Sequence, residues 1–143
     1  MKRTLAEKTL ENVGKSIIVK GWVHSRRDHG GLIFIDMRDH TGVVQLTIDA
    51  DSAAFNIAEG LRDEYVIEAH GSVAERDDEL KNDNIPTGGI EIMVESLKIL
   101  NKSEALQFQV NTNQNISEEN RLKYRFLDLR REKMQQMLKK RAL

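Results

Sequence analysis

Few residues in this sequence suit chemistry on a ligand, and the best of them cluster between Ser25 and Gln45. In Leu32–Asp39 (LIFIDMRD) apolar and polar residues alternate, so Ile33, Ile35 and Met37 share one face of a strand. Leu32, Phe34, Asp36 and Arg38 share the other. The apolar face belongs to a core, which leaves Phe34 as an aromatic on the polar face. An exposed ring offers a base a stacking platform worth about 1–3 kcal/mol, whatever the base. A ring packed under a loop fits the same pattern. In the next strand Val44, Leu46 and Ile48 face inward, so Gln45 and Thr47 face outward beside Phe34. The Gln45 amide carries a donor and an acceptor and can pair with one base edge. Ser25-Arg26-Arg27 is the densest basic spot nearby and suits phosphates. Simple alternation puts Arg27 on the core side with Val19 and Val23; a bulge near Gly21 would reset the register.

Other chemistries find little support. The four histidines, His24, His29, His40 and His70, lack metal-ligand spacing, and there is no Cys to join them. His29-Gly30-Gly31 joins two strands rather than leading a strand into a helix, so it is not a phosphate-binding loop. Most carboxylates fall at turns or on helix faces, where they read as solvated charge. No self-contained active site and no cofactor site is visible.

The 143 residues suffice for one well-cored domain and a short appendage. With 39% hydrophobic and 31% charged residues, the chain falls in the globular rather than the disordered class. The absence of Cys suits a reducing compartment. The opening MKRTLAEKTLENVGK lacks the apolar stretch of a secretory signal, and no apolar run reaches membrane-spanning length. The expectation is a soluble, cytoplasmic protein. Net charge is -1, unevenly placed: residues 1–111 carry 13 Lys/Arg against 19 Asp/Glu, residues 112–143 carry 9 against 4. An acidic first part argues against a non-specific single-strand coat and for stacking with local basic contacts.

The elements that must position these residues are mostly strands. Lys15–Asp28, Leu32–Asp39, Val43–Asp49, Tyr65–Arg76 and Ile90–Leu100 each read as β. Asp51 is expected to cap a helix through Asp63, with Ala54, Ile57, Ala58 and Leu61 at helical spacing. Five strands with one helix between the third and fourth match an all-β, five-stranded OB-fold Greek-key barrel, though composition alone also allows another small barrel. Domain boundaries are expected at 1–102 for the barrel, 103–116 for a polar linker and 117–143 for a basic helical segment opened by Ser117. The last helix, Glu132 to Leu143, has no stop signal, as expected of a helix cut within a longer protein.

Three blocks then carry a family resemblance: GWVHSRRDHGGLIFIDMRDHTGVVQ (Gly21–Gln45), IPTGGIEIMVESLKILN (Ile85–Asn101) and EENRLKYRFLDLRREKMQ (Glu119–Gln135). In this order they resemble the amino-terminal anticodon-binding domain of bacterial-type aspartyl-tRNA synthetases. The resemblance implies that Phe34 stacks on the middle anticodon base and Gln45 reads it as uracil. It implies that Arg27, with Arg26 beside it, contacts the anticodon stem-loop and that Glu91 reads the first base. Asn82 and Asn84 fall in the loop that contacts the anticodon. His29 matches a position near the third base, where a His followed by Gly-Gly accompanies relaxed charging of both tRNA(Asp) and tRNA(Asn); a solvent-exposed turn residue is the plain alternative. Ser25 departs from members with a third arginine there. The third block resembles the hinge into a class II catalytic domain whose motifs this chain lacks. By that resemblance the chain alone is no enzyme, and ATP and Mg2+ belong to a homodimeric aspartate–tRNA ligase. A free-standing OB-fold RNA-binding module without catalysis is the competing reading, disfavoured by Tyr124–Arg131 (YRFLDLRR). An oligosaccharide-binding barrel would carry more aromatics than the 5% here.

Overall fold

A computed structural model describes residues 1–143. Strands β1 (Ser16–His29), β2 (Leu32–Arg38), β3 (Val43–Asp49), β4 (Val66–Glu75) and β5 (Ile90–Asn101) close into a barrel in the order β1-β2-β3-β5-β4. All pairs are antiparallel except β3 with β5. The expected OB barrel is therefore the fold, with α1 (Phe55–Glu59) between β3 and β4. Its interior is filled by the inward residues that alternation selects, among them Val19, Val23, Ile33, Ile35, Leu46 and Ile92, all at 0% exposure.

Closure depends on β1. At 14 residues it is longer than β4, because it serves two neighbours. Ser16–Trp22 pairs with β4 and Trp22–His29 with β2. The register slips between Val23 and Ser25, so the bulge falls at His24 and not at Gly21. Before it, Ile17, Val19, Gly21 and Val23 point inward; after it, Ser25 and Arg27 lie opposite Asp36 and Phe34 on the outer face. One extra residue thus moves Arg27 from the core side to the face of the aromatic. The β1–β2 turn uses Gly30 at φ 46 and Gly31 at φ 98, values that side chains with a Cβ rarely adopt.

Two local expectations fail. The helix after β3 spans only Phe55–Glu59, and Asp51 does not cap it. The Asp51 N–H instead donates to Asp49 Oδ1 (3.1 Å) and the Ala54 N–H to Ser52 Oγ (3.2 Å), so side-chain turns consume the residues expected to start the helix. Ala54, Ala58 and Leu61 are still buried, so the apolar spacing was sound although the helix is short. At the other end, residues to which the sequence assigns no element form a 3-10 helix, Ala6–Asn12. It is tied to the barrel by the Ala6 N–H, which donates to Asp39 Oδ2 at 2.8 Å.

Two compact units are present, Met1–Ser103 and Glu104–Leu143. In the second, Ser117 Oγ accepts from the Asn120 N–H (3.3 Å) and opens α2 (Glu118–Lys123). The basic helix expected through Arg131 breaks at Tyr124, whose φ of -111 and ψ of 48 leave helical space, giving α3 (Arg125–Asp128) and α4 (Glu132–Ala142). The i, i+4 pair Leu122 and Phe126 stays exposed, while Leu127 and Asp128 are buried. Buried Asp128 pairs with Arg131 (3.2 Å), whose Nη2 donates to the Gln114 carbonyl (2.8 Å). No helix is long and apolar enough to cross a membrane.

Candidate nucleic-acid interface

The outer faces of β1, β2, β3 and β5 meet the β4–β5 loop in an open pocket of about 260 Å³. Phe34, Arg27, Gln45, Glu91, His29 and Asn82 all line it, so six of the eight residues singled out from the sequence converge here. Strand pairing does most of this work: Arg27 is opposite Phe34, Asp36 opposite Gln45, and Phe34 opposite Thr47. The loop delivers Asn82 through a bond from its N–H to the Gly88 carbonyl (3.0 Å). Gly88 is required there, because a Cβ would collide with the Asn82 carbonyl.

Two singled-out residues lie elsewhere. Arg26 falls opposite inward Ile35, and its Nη1 donates to the Glu59 carbonyl at 2.8 Å, at the end of α1. Asn84 is exposed outside the pocket lining, its N–H bonded to Asn82 Oδ1 (3.0 Å).

The pocket is nearly neutral and heavily hydrogen-bonded. Arg27 Nη2 donates to Asp36 Oδ1 and to Gln45 Oε1, both at 3.2 Å, while its guanidinium carbon lies 5.8 Å from the Phe34 ring centre. Ser25 Oγ donates to the other Asp36 oxygen at 2.9 Å. Gln45 Nε2 donates to Thr47 Oγ1 and Glu91 Oε2, both at 3.3 Å, and the Thr47 hydroxyl donates to the same Glu91 oxygen. His29 stands edge-on to Phe34, ring centres 5.7 Å apart and planes at 62°. Phe34 itself is only partly buried, with its ring part of the pocket lining.

Sequence reasoning missed Asp36, Thr47 and Arg76 as parts of this site. Arg76 follows β4 and is 8% exposed; its Nε donates to the Ile90 carbonyl at 2.8 Å, and its Nη2 has no partner. Burial pushes this guanidinium below its ordinary value, against the pull of Glu91 and Asp36, and nearby Arg27 adds to the fall. A buried donor without an acceptor is costly and marks a place where a ligand atom gains by arriving. Its sequence signal was weak: an arginine at a strand end reads as solvated charge. Alternation places Thr47 on the correct face, but nothing local ties it to Glu91, 44 residues away.

Such a surface, with a partly covered ring, an amide of fixed direction and arginines at the rim, matches the needs of a flipped-out base. Comparison with known proteins points the same way. Residues 17–100 match the family described as OB-fold nucleic acid binding domain. Over 142 residues the chain is 51% identical to an aspartate–tRNA(Asp/Asn) ligase of Thermoanaerobacter pseudethanolicus, covering 96% of this chain and 24% of that protein. It is 51% identical over 131 residues to an aspartate–tRNA ligase of Macrococcus caseolyticus, covering 90% and 22%. Among solved structures, asparaginyl-tRNA synthetase of Pyrococcus horikoshii complexed with asparaginyl-adenylate superposes with a TM-score of 0.75 at 26% identity, covering 92% of this chain and 29% of the other. The chain thus spans about a quarter of the length of the curated relatives it matches. From its closed five-stranded barrel and the family match over β1 to β5, the chain belongs to the OB-fold nucleic acid binding domains.

Proposed function

We propose that this chain recognises the anticodon of tRNA(Asp) as the anticodon-binding part of an aspartate–tRNA ligase. The observation that carries the proposal is the convergence of Phe34, Gln45, Arg27, Glu91, Asn82 and His29 on one pocket of the barrel. The names of relatives about half identical over nine-tenths of the chain supply the substrate class. In this reading residues 1–102 recognise RNA, 103–116 link, and 117–143 form a hinge towards a catalytic part. Amino-acid activation, with its ATP and Mg2+, is assigned to that larger cytoplasmic, homodimeric protein and not to this chain.

Within the pocket, Phe34 stacks on the middle base of the anticodon and Gln45 reads its edge. Glu91 accepts from the first base, His29 lies near the third, and Asn82 meets the anticodon from the β4–β5 loop. Arg26 and Asn84 lie off the pocket, so neither is given a base. His29 supports relaxed use of tRNA(Asn) as well, because an imidazole has one donor and one acceptor nitrogen and can pair with either pyrimidine edge. The first relative's name, with its (Asp/Asn), supports the same extension.

A titration of the chain with three RNA hairpins at one salt concentration tests both parts. The aspartate and asparagine anticodon loops are expected to bind within about tenfold of each other, about 1.4 kcal/mol, and a loop of unrelated anticodon at least about tenfold more weakly. Equal binding of all three refutes anticodon reading. A hundredfold preference for the aspartate loop refutes only the role of His29.

A further inference from the structure

We infer that Thr47 and Glu91 set which way round the Gln45 amide stands, and so make the pocket select uracil over cytosine at the middle anticodon position. The inference rests on the anticodon reading above and adds to it a positioning role that falls on Thr47.

The direction of the amide follows from its partners. Arg27 Nη2 can only donate, so the Gln45 atom 3.2 Å from it is the oxygen. The Glu91 carboxylate only accepts, so the atom 3.3 Å from Glu91 Oε2 is the nitrogen. Thr47 completes the chain: its hydroxyl hydrogen goes to Glu91, so its lone pairs face Gln45 Nε2 at 3.3 Å. The Thr47 and Glu91 oxygens are hydrogen-bonded to each other, so they lie to one side of Gln45 Nε2 and hold it there. With Nε2 held on that side, Oε1 stands on the Arg27 side and keeps a second lone pair, an acceptor, for a ligand. Gln45 is 7% exposed and lines the pocket beside Phe34, so this acceptor faces the edge of a base stacked on the ring.

An acceptor at that point discriminates chemically. The edge of uracil presents an N3–H donor beside carbonyl O4, whereas cytosine presents a bare N3 acceptor beside its amino group. Gln45 Oε1 pairs with the uracil N3–H and opposes the cytosine N3 lone pair. A free N–H of the neighbouring Arg27 suits O4 and repels an amino group. If the amide were free to rotate, Nε2 could turn to the pocket and donate to the cytosine N3, and the selection would fade. Glutamine alone accepts either base; the held glutamine accepts one.

The Thr47→Val variant keeps the β-branched shape and removes only the hydroxyl. Hairpins differing by U or C at the middle position are titrated against wild type, Thr47→Val and Thr47→Ser, and the U-to-C affinity ratio is read. Wild type is expected to favour U. Thr47→Val is expected to lower that ratio about tenfold, and Thr47→Ser, which restores the hydroxyl, to retain it. A loss of the fold would lower both affinities and leave the ratio unread, so circular dichroism accompanies the titration. Should the Val variant be unfolded, Glu91→Gln, whose carboxamide no longer forces the direction, is expected to show the same fall in ratio. A folded Thr47→Val that keeps the wild-type ratio overturns the inference while leaving the anticodon reading intact. A wild-type chain that binds the U and C hairpins equally overturns that reading and the inference with it.

Discussion

Two arginine–carboxylate pairs flank the His24 bulge on β1 and β2, and they do opposite things. Arg38 Nη2 grips both oxygens of Glu64, at 2.9 and 2.7 Å, while its Nη1 meets His24 Nδ1 at 2.8 Å and its guanidinium lies 5.7 Å from the Trp22 ring centre. The two side chains are 16% and 4% exposed. Glu64 is held at φ 66, an unfavourable value for a residue with a side chain, which the pairing helps to maintain. Arg27, by contrast, reaches Asp36 and Gln45 through a single nitrogen, and its side chain is 49% exposed. The first pair is closed on itself and holds β1, β2 and the start of β4 together. The second leaves most of its donors facing an open pocket. Arg–carboxylate chemistry on adjacent positions becomes architecture or recognition according to how much water is excluded.

The widest separation between the two pairs is expected in stability. Arg38→Ala removes both Arg38–Glu64 hydrogen bonds from a buried carboxylate and is expected to lower unfolding free energy by about 3–5 kcal/mol, against less than about 1 kcal/mol for Arg27→Ala. Urea unfolding of the two variants measures this directly, and equal losses would erase the distinction. Binding should separate them in the other direction. Phe34→Ala, on the open side, is expected to weaken the aspartate hairpin by about 1–3 kcal/mol while the unfolding midpoint barely moves. A large fall in midpoint with unchanged binding would make Phe34 a core residue.

The smallest effect is in pH. Burial, with the adjacent Arg38 adding to it, holds His24 below its ordinary value despite the pull of nearby carboxylates. The folded state then binds fewer protons than the unfolded one, so this contribution is complete above about pH 6.5 and declines as pH falls towards the folded value. His24→Gln, which can still accept from Arg38, is expected to flatten that slope. Asp39 adds a second limb on the closed side. Burial alone would raise its carboxyl, but hydrogen bonds from the Thr41 hydroxyl and the Ala6, Thr41 and Gly42 N–H groups outweigh it and hold it low. Its contribution is present above about pH 4 and is lost as pH falls through the lowered value; Asp39→Asn is expected to remove that limb. Thermal unfolding followed from pH 8 to pH 3 resolves both.

Alternation in LIFIDMRD and VVQLTID was enough to place Phe34, Gln45 and Thr47 on one outer face, because a strand has period two and one face must be buried. It failed at Arg27. The phase of β1 changes at His24, and a bulge has no residue signature of its own, since what decides it is how two strands meet. The helix after β3 was overextended for a related reason. Apolar spacing identifies which residues are buried, but Asp49 and Ser52 captured the backbone N–H groups that a longer helix would have used.

Periodic burial, turn glycines and the three family blocks are properties of neighbouring residues, and the sequence by itself determined them: five strands, a barrel, the aromatic on its outer face and the amide beside it. Tertiary structure alone decided that Asp36 anchors Arg27, that Arg76 ends beneath the pocket with an unpartnered nitrogen, and that Thr47 and Glu91 hold Gln45 one way round. Apart from Gln45 and Thr47, two positions apart on β3, those contacts join residues 9 to 46 positions apart on different strands. A hydrogen bond depends on tenths of an ångström and on direction, and neither is written in local sequence until register and bulge have been chosen.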